Sequence, residues 1–350
     1  EQTWRTALSP DPGLTVTEMM DAALTGAIRA MAVLGEDPLM SEPNIDHARH
    51  ALEALDFMVC IDILPNRTTD YAHVILPAAS FAEKDGTFTN SDRRVQRVRR
   101  ALPLAGQSRL DWQIICDLAR GMETELGIET SAGFDYSDAE AIWEEMRRVT
   151  PDFYGITYER LEREGGVHWP CPALDHPGTP YLFAEDFPRG KGKFFALDYG
   201  TESELPDDDY PYHLTTGRVL FHWHGGALTR RSKLDDIFPE PVLEMHPDDA
   251  QALDIATGDW IEATSRRGRI VCRALVTGRS PAGTVFLPFH FAEAAANLLT
   301  WEKVDPRAKI PDFKMTAVRL SKTEAPAARA GADTPLLERG AIKDPTQHIH

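Results

Sequence analysis

The eight residues 57-FMVCIDIL-64 carry one charge, Asp62, and contain neither glycine nor proline. A run this apolar has no polar face to give to water. It must be covered on both sides, as an interior strand of a parallel sheet is. Parallel neighbours need crossover connections, and the flanking segments can supply them. Ahead of the run, 27-AIRAMAVL-34 reads as a buried strand ending at Gly35, and 45-IDHARHALEAL-55 repeats its apolar residues at helical spacing. Behind it, 73-HVILP-77 reads as a short strand. The stretch 111-DWQIICDLARGM-122 reads as a helix opened by Asp111 and ending near Gly121. This order predicts an α/β domain with a parallel sheet over residues 1–150, partial and dinucleotide-binding-like. Its ligand is expected beyond the carboxyl ends of the strands, where Gly35, Glu36, Asp37 and Asp62 stand.

The pattern then changes. One clear helix, 138-DAEAIWEEMRRV-149, is followed by 165-GGVHWPCPALDHPGTPYLF-183, rich in Pro and Gly, so residues 151–205 read as a connector. From about 210 the signals are β: a strand at Tyr212–Thr215, a hairpin over 259–276 turning at Gly268, and a strand at 283–287. A short helix over 247–255 lies among them. Short strands around one small helix predict a compact β-barrel over residues 206–322. The tail, 323–350, is rich in Ala, Pro and charge and is expected to be mobile or to wrap a partner. The chain has no internal repeat, no G-x-G-x-x-G and no P-loop.

Composition removes several function classes. A net charge of −18 over 350 residues argues against nucleic-acid binding, which needs a basic footprint. It leaves room for a local anion site, because such sites depend on nearby donors. The cysteines Cys60, Cys116, Cys171 and Cys272 show no C-x-x-C spacing, which suits buried, reduced thiols and a cytoplasmic protein. No apolar window is long enough for a membrane span, and the first residues show no export signal. The basic run 93-RRVQRVRR-100 reads as a solvated strand face, or as a contact with an anionic cofactor or partner subunit.

The densest chemistry lies in 215-TTGRVLFHWHGGALTRRS-232. His222 and His224 bracket Trp223, two glycines follow, and Arg218 precedes. On a strand, alternate residues share a face, so His-x-His could hold a metal. An acid–base pair and a loop shaped for an anion are the other readings. Glu83 and Asp85 read as loop solvation, and His73, His168, His176 and His290 as satisfied structural histidines. Trp112 and Trp143 read as packing residues.

Several segments together resemble the molybdopterin oxidoreductases of the dimethyl sulfoxide reductase type, and within them the large subunit of formate dehydrogenases. They are GEDPLMSEPN (35–44), HVILPAASFAEKDGTFTNSDRRVQ (73–96), DWQI (111–114), PDFYGITYERL (151–161), TGRVLFHWHGGALTRRS (216–232) and PDFKMTAVRL (311–320). The resemblance covers the carboxyl-terminal half of such a subunit. It implies that the barrel is of the double-psi type. It also implies a bis-molybdopterin guanine dinucleotide cofactor carrying Mo or W, with Fe–S clusters in the other half or in partner subunits.

Residue by residue, it implies that Asp62 meets ribose or the guanine edge, that Lys84 meets the nucleotide and that Asp111 meets guanine. Gly35 and Glu36 are further candidates by strand-end position. In the barrel half, the cofactor loop would be Thr216, Gly217, Arg218, Val219, Leu220, Phe221, His222, Trp223, His224 and Gly225. Phe289, Asn297 and Lys314 complete the set. Under this reading the two histidines are pterin contacts, with no metal ligand and no catalytic residue in the chain. Those would lie in the amino-terminal half of the same subunit, the first partner implied. Electron-transfer subunits with Fe–S or flavin, NAD-linked or otherwise, would be the others. The expected reaction is oxidation of formate to CO2. A nitrate reductase and a structural subunit that has lost the cofactor are the alternatives.

Overall fold

The computed structural model describes residues 3–4, 7–128, 133–198 and 204–326. Most of the 323–350 tail therefore lies outside the described residues. The chain forms two compact units of discontinuous sequence: Glu1–Pro12, Ile61–Ile63 and Leu76–Asp198 in one, Gly13–Cys60, Leu64–Ile75 and Tyr199–His350 in the other. The sequence pattern divides the chain at 150 and 205 instead, because periodicity follows the chain and not the packing.

The amino-terminal strands form a three-stranded parallel sheet in the order β1 (Ala30–Leu34), β2 (Phe57–Asp62), β3 (Val74–Pro77). Its direction shows in the bonds His73 N–H to Met58 O and Ala78 N–H to Asp62 O, which advance together along both strands. The apolar run is the central strand, as expected. β1 starts at Ala30, three residues later than periodicity predicts, and is largely open: only Val33 is buried and Leu34 is 48% exposed. An edge strand has one neighbour, so its apolar content overstates its burial.

In the barrel-containing unit, α1 (Val16–Leu24), α2 (Pro38–Ser41) and α3 (Ile45–Glu53) pack with β1 and the start of β2 around Met20, Leu39, Leu52 and Met58. Thr15 and Glu18 form a capping box on α1, and Asn44 caps α3. The barrel is closed by six strands in the order β10-β8-β11-β7-β12-β9. These are β7 (Tyr212–Gly217), β8 (Val242–Met245), β9 (Trp260–Thr264), β10 (Arg269–Val276), β11 (Thr284–Pro288) and β12 (Thr316–Lys322), with α7 (Pro247–Ala252) after β8. Two neighbour pairs, β10 with β8 and β11 with β7, are parallel, and the other contacts are antiparallel. Alternate residues such as Leu214, Leu243, Ile261, Cys272, Leu287 and Val318 point inward and fill it.

The other unit holds an antiparallel sheet of β4 (Gly86–Thr89), β5 (Arg94–Val98) and β6 (Val167–His168), with α4 (Asp111–Leu126), α5 (Ala139–Val149) and α6 (Tyr158–Glu164). α4 runs through Gly121 and stops at Gly127, which is left-handed at φ 62°. The predicted stop at Gly121 is corrected: glycine ends a helix where the chain needs a positive φ, and Gly121 does not. The stretch 165–183, expected as a connector, supplies β6 and Cys171 to a core with Val95, Trp143, Ile156 and Leu161. The basic run is spent within this unit. Arg97 and Arg99 pair with Glu162, and Arg93 donates to the carbonyls of Trp169, Thr179 and Pro180. Glu83 is buried, accepting from Ser80 and Ala105 N–H, where loop solvation was expected. Those N–H groups hold its carboxyl below the usual range. All four cysteines are buried thiols outside any disulfide.

Candidate functional site

The unit without the barrel brings three of the expected residues to one end of its strands. Asp62 closes β2, where its Oδ1 accepts from Ile63 N–H at 2.6 Å. Its carbonyl accepts from Ala78 N–H at 2.9 Å, and Ala78 bridges in parallel to Arg109, just ahead of α4. Asp111 is the first residue of α4, where a carboxylate is favoured by the helix dipole. Lys84 reaches it at 2.7 Å, so two residues 27 positions apart form an ion pair, each roughly 30% exposed. A carboxylate at a strand end and a second at a helix start match the paired donors of a guanine edge or a ribose.

The barrel unit gathers the rest. β7 ends at Gly217, and the chain then leaves the sheet. A Cβ on Gly217 would lie 2.6 Å from the Phe286 ring, so only glycine brings the strand this close to β11. The residues from 218 to 228 are turns and irregular chain, not strand. His222 and His224 therefore lack the shared strand face on which the metal geometry depended. His222 is buried, with its Nε2 donating to Phe238 O at 2.7 Å and its Nδ1 3.3 Å from Thr229 Oγ1. His224 sits at φ 45° with Nδ1 3.4 Å from Arg218. Gly226, at φ 79°, would put a Cβ 2.6 Å from the His290 carbonyl oxygen, so this turn also requires glycine.

Around this loop lie the remaining candidates. Thr216 donates from Oγ1 to Phe313 O at 2.8 Å, and its carbonyl accepts from Lys314 Nζ. Phe289 N–H donates to Gly217 O at 3.2 Å. Asn297 is buried and donates to Met40 O at 3.0 Å and Ser41 O at 3.3 Å. Met40 is also what a Cβ on Gly225 would meet, at 3.1 Å. The turn α2, following Gly35 and Glu36, is thus packed against the loop and tied to Asn297. Phe221 and Val219 are half-buried, whereas Leu220 is 91% and Trp223 60% exposed.

The charges decide what this arrangement can do. Loss of water, then the charge of Arg218, lowers the Lys314 ammonium from its ordinary value. Two cations therefore stand close enough to repel, and among the described residues neither makes an ion pair with a carboxylate. The Arg218 guanidinium stacks 4.9 Å from the Trp223 ring centre. At the end of α2 Glu42 is buried, and burial followed by the charge of Glu36 pushes its carboxyl up to about 7. Uncompensated cations beside backbone N–H groups and an exposed aromatic face fit an anionic group that carries a flat ring. His290 is the residue whose part the sequence hides. Its ring bonds to Val219 N–H and His224 O, from a position 71 residues beyond the first.

Comparison with known proteins finds two family matches along the chain. Residues 212–317 match the molydopterin dinucleotide binding domain, and residues 2–121 match the molybdopterin oxidoreductase model. The F420-dependent formate dehydrogenase alpha subunit of Methanocaldococcus jannaschii is 45% identical over 325 residues, covering 92% of this chain and 47% of that one. The assimilatory nitrate reductase catalytic subunit of Bacillus subtilis is 39% identical, covering 89% and 44%. Formate dehydrogenase H of Escherichia coli is 33% identical, covering 90% and 44%. Acetylene hydratase from Pelobacter acetylenicus shares the fold at a TM-score of 0.67 with 18% identity, over 88% of this chain and 46% of that one. The chain spans about half the length of the curated relatives it matches. Among the described residues no helix is long and apolar enough to cross a membrane.

Proposed function

We propose, from the premise that this chain belongs to the molybdopterin oxidoreductases, that it is the cofactor-holding carboxyl-terminal portion of a formate dehydrogenase catalytic subunit. The observation that carries the reading is the Arg218–Lys314 pair. In a chain of net charge −18, these two cations interact with each other and have no carboxylate partner among the described residues, so both stay available to an anion. A pyrophosphate-bearing pterin supplies that anion, and when bound its dithiolene-held Mo or W supplies the two-electron redox chemistry.

This chain's residues bind and orient it. Arg218 and Lys314 meet anionic or carbonyl oxygens, and the loop from Thr216 to Gly225 forms a wall with Phe289. Asn297 acts through Met40 and Ser41, holding the turn on which that wall rests. Gly35 and Glu36 belong to the approach to that turn. Asp62, Lys84 and Asp111 receive a guanine nucleotide; the Lys84–Asp111 contact opens to do so, freeing the carboxylate for guanine's donors. The metal ligand and the catalytic groups then belong to the amino-terminal half, and electrons leave through Fe–S or flavin subunits in the cytoplasm.

The relatives divide between formate dehydrogenases and nitrate reductases; the F420-dependent formate dehydrogenase alpha subunit is 45% identical, above the nitrate reductase at 39%. The test is the assembled enzyme with a viologen dye. Formate-dependent dye reduction without nitrate-dependent dye oxidation supports the reading; the reverse replaces it with nitrate reduction. An assembly free of guanine nucleotide and of Mo or W would mean a scaffold subunit.

A further inference from the structure

His290 is almost fully buried, and both of its ring nitrogens are spent on the backbone of the loop after β7. Nε2 accepts from Val219 N–H at 3.0 Å, so it carries no proton. Nδ1 faces the His224 carbonyl oxygen, which can only accept, so the proton is on Nδ1. One neutral imidazole thereby ties both ends of the segment that presents Leu220, Phe221, His222 and Trp223. Arg218 stands immediately before the first tie, and Gly225 immediately after the second.

Resting on the reading that this loop holds the cofactor, we propose that His290 is a positioning residue: its neutral Nδ1–H form staples the loop in its gripping shape, and a second proton opens the staple. The imidazolium would turn an N–H toward the Val219 N–H, exchanging an acceptor for a donor and breaking that bond. The His224 bond survives, so the loop is released at its Arg218 end. The grip on the anionic cofactor then weakens as pH falls.

The surroundings oppose that proton. From the loop the ring is faced by Arg218, His222 and His224, the His222 ring centre lying at 5.6 Å. Behind the loop Arg230 approaches the same turn, held by Asp235 and Glu293. Burial first, and then the charges of His222, Arg218 and His224, holds the imidazole below its ordinary 6.5, with the His224 carbonyl acting the other way. An opened loop exposes a histidine that takes a proton near 6.5. The closed loop is therefore fully favoured above that pH and loses ground as pH falls from there toward the lowered value.

The test uses the assembled enzyme with wild type, His290→Gln and His290→Leu at pH 7.5 and 5.5. Glutamine can accept from Val219 and donate to His224 without titrating; leucine can do neither. Amide hydrogen exchange of the 217–226 peptide, corrected for intrinsic rates, reads the staple without reference to activity. Retained guanine nucleotide reads the grip. We expect wild type to open up to roughly tenfold more at the lower pH, with nucleotide loss following. H290Q should stay flat, and H290L should be open at both. A wild-type pH response kept by H290Q, or a Val219 amide as protected in H290L as in wild type, overturns the proposal. Exchange that follows His290 in a wild-type assembly without guanine nucleotide overturns the cofactor reading and the grip with it. Bound nucleotide with exchange indifferent to His290 overturns the staple alone.

Discussion

The two units handle charge in opposite ways. In one, Lys84 and Asp111 neutralise each other at 2.7 Å. In the other, the charge of Arg218 acts on Lys314, and among the described residues neither pairs with a carboxylate. The first arrangement can rest without a ligand and must exchange a partner to bind one. The second has no carboxylate to displace, so under the proposed reading an anion would bind it with partial relief of the repulsion. Preorganised cations bind tightly, and paired ones bind selectively, since only a ligand offering equal bonds can open the pair.

The strongest way to break this contrast is to remove both free cations. R218A/K314A should lower retained guanine nucleotide at least ~100-fold, each charge-assisted bond contributing about 1.5–3 kcal/mol. The unliganded fold should be no less stable, or slightly more so. A double variant that binds as wild type would show that the pair serves packing.

Next in size is Glu42, buried at the end of α2. Its folded value of about 7 stands above the usual 4.5, so an unfolded chain ionises it first as pH rises. The Glu42 contribution to stability is therefore fully present below pH 4.5 and is lost between 4.5 and about 7, by roughly 3 kcal/mol. Glu42→Gln should restore about that much in denaturant unfolding at pH 8 and change little at pH 4.5. The smallest effect belongs to the paired charges. Lys84→Met or Asp111→Asn should shift stability by less than ~1 kcal/mol, because the pair is partly exposed. Asp111→Asn should still weaken nucleotide retention about tenfold. A larger stability loss than in the barrel unit would reverse the comparison.

What the sequence discloses depends on the distance between partners. The β9–β10 hairpin was legible because its strands are joined by one short turn at Gly268. β8 and β12 were not read as strands. β8 is four residues long, and β12 finds β7 and β9 far back in the chain. The composition of the loop after β7 is legible, but its conformation is not. His-Trp-His looked like strand, and only the bonds from Thr229, Phe238 and His290 make it a turn. Lys84 and Asp111 were each legible as charged positions, but their pairing across 27 residues leaves no local pattern.

β12 is the strand that shuts the barrel, pairing with β7 on one edge and β9 on the other. Lys314, two residues before it, is delivered to the Thr216 carbonyl by that closure. The ring therefore cannot close early and leave its site for later. Until residues 316–322 have left the ribosome and docked, Arg218 has no companion and β7 lacks a neighbour. Folding of this unit is late and governed by its slowest, most distant pairing. If Arg218 and Lys314 hold an anion as proposed, that competence arrives in this one step, and an incompletely synthesised chain would have little means of capturing the ligand.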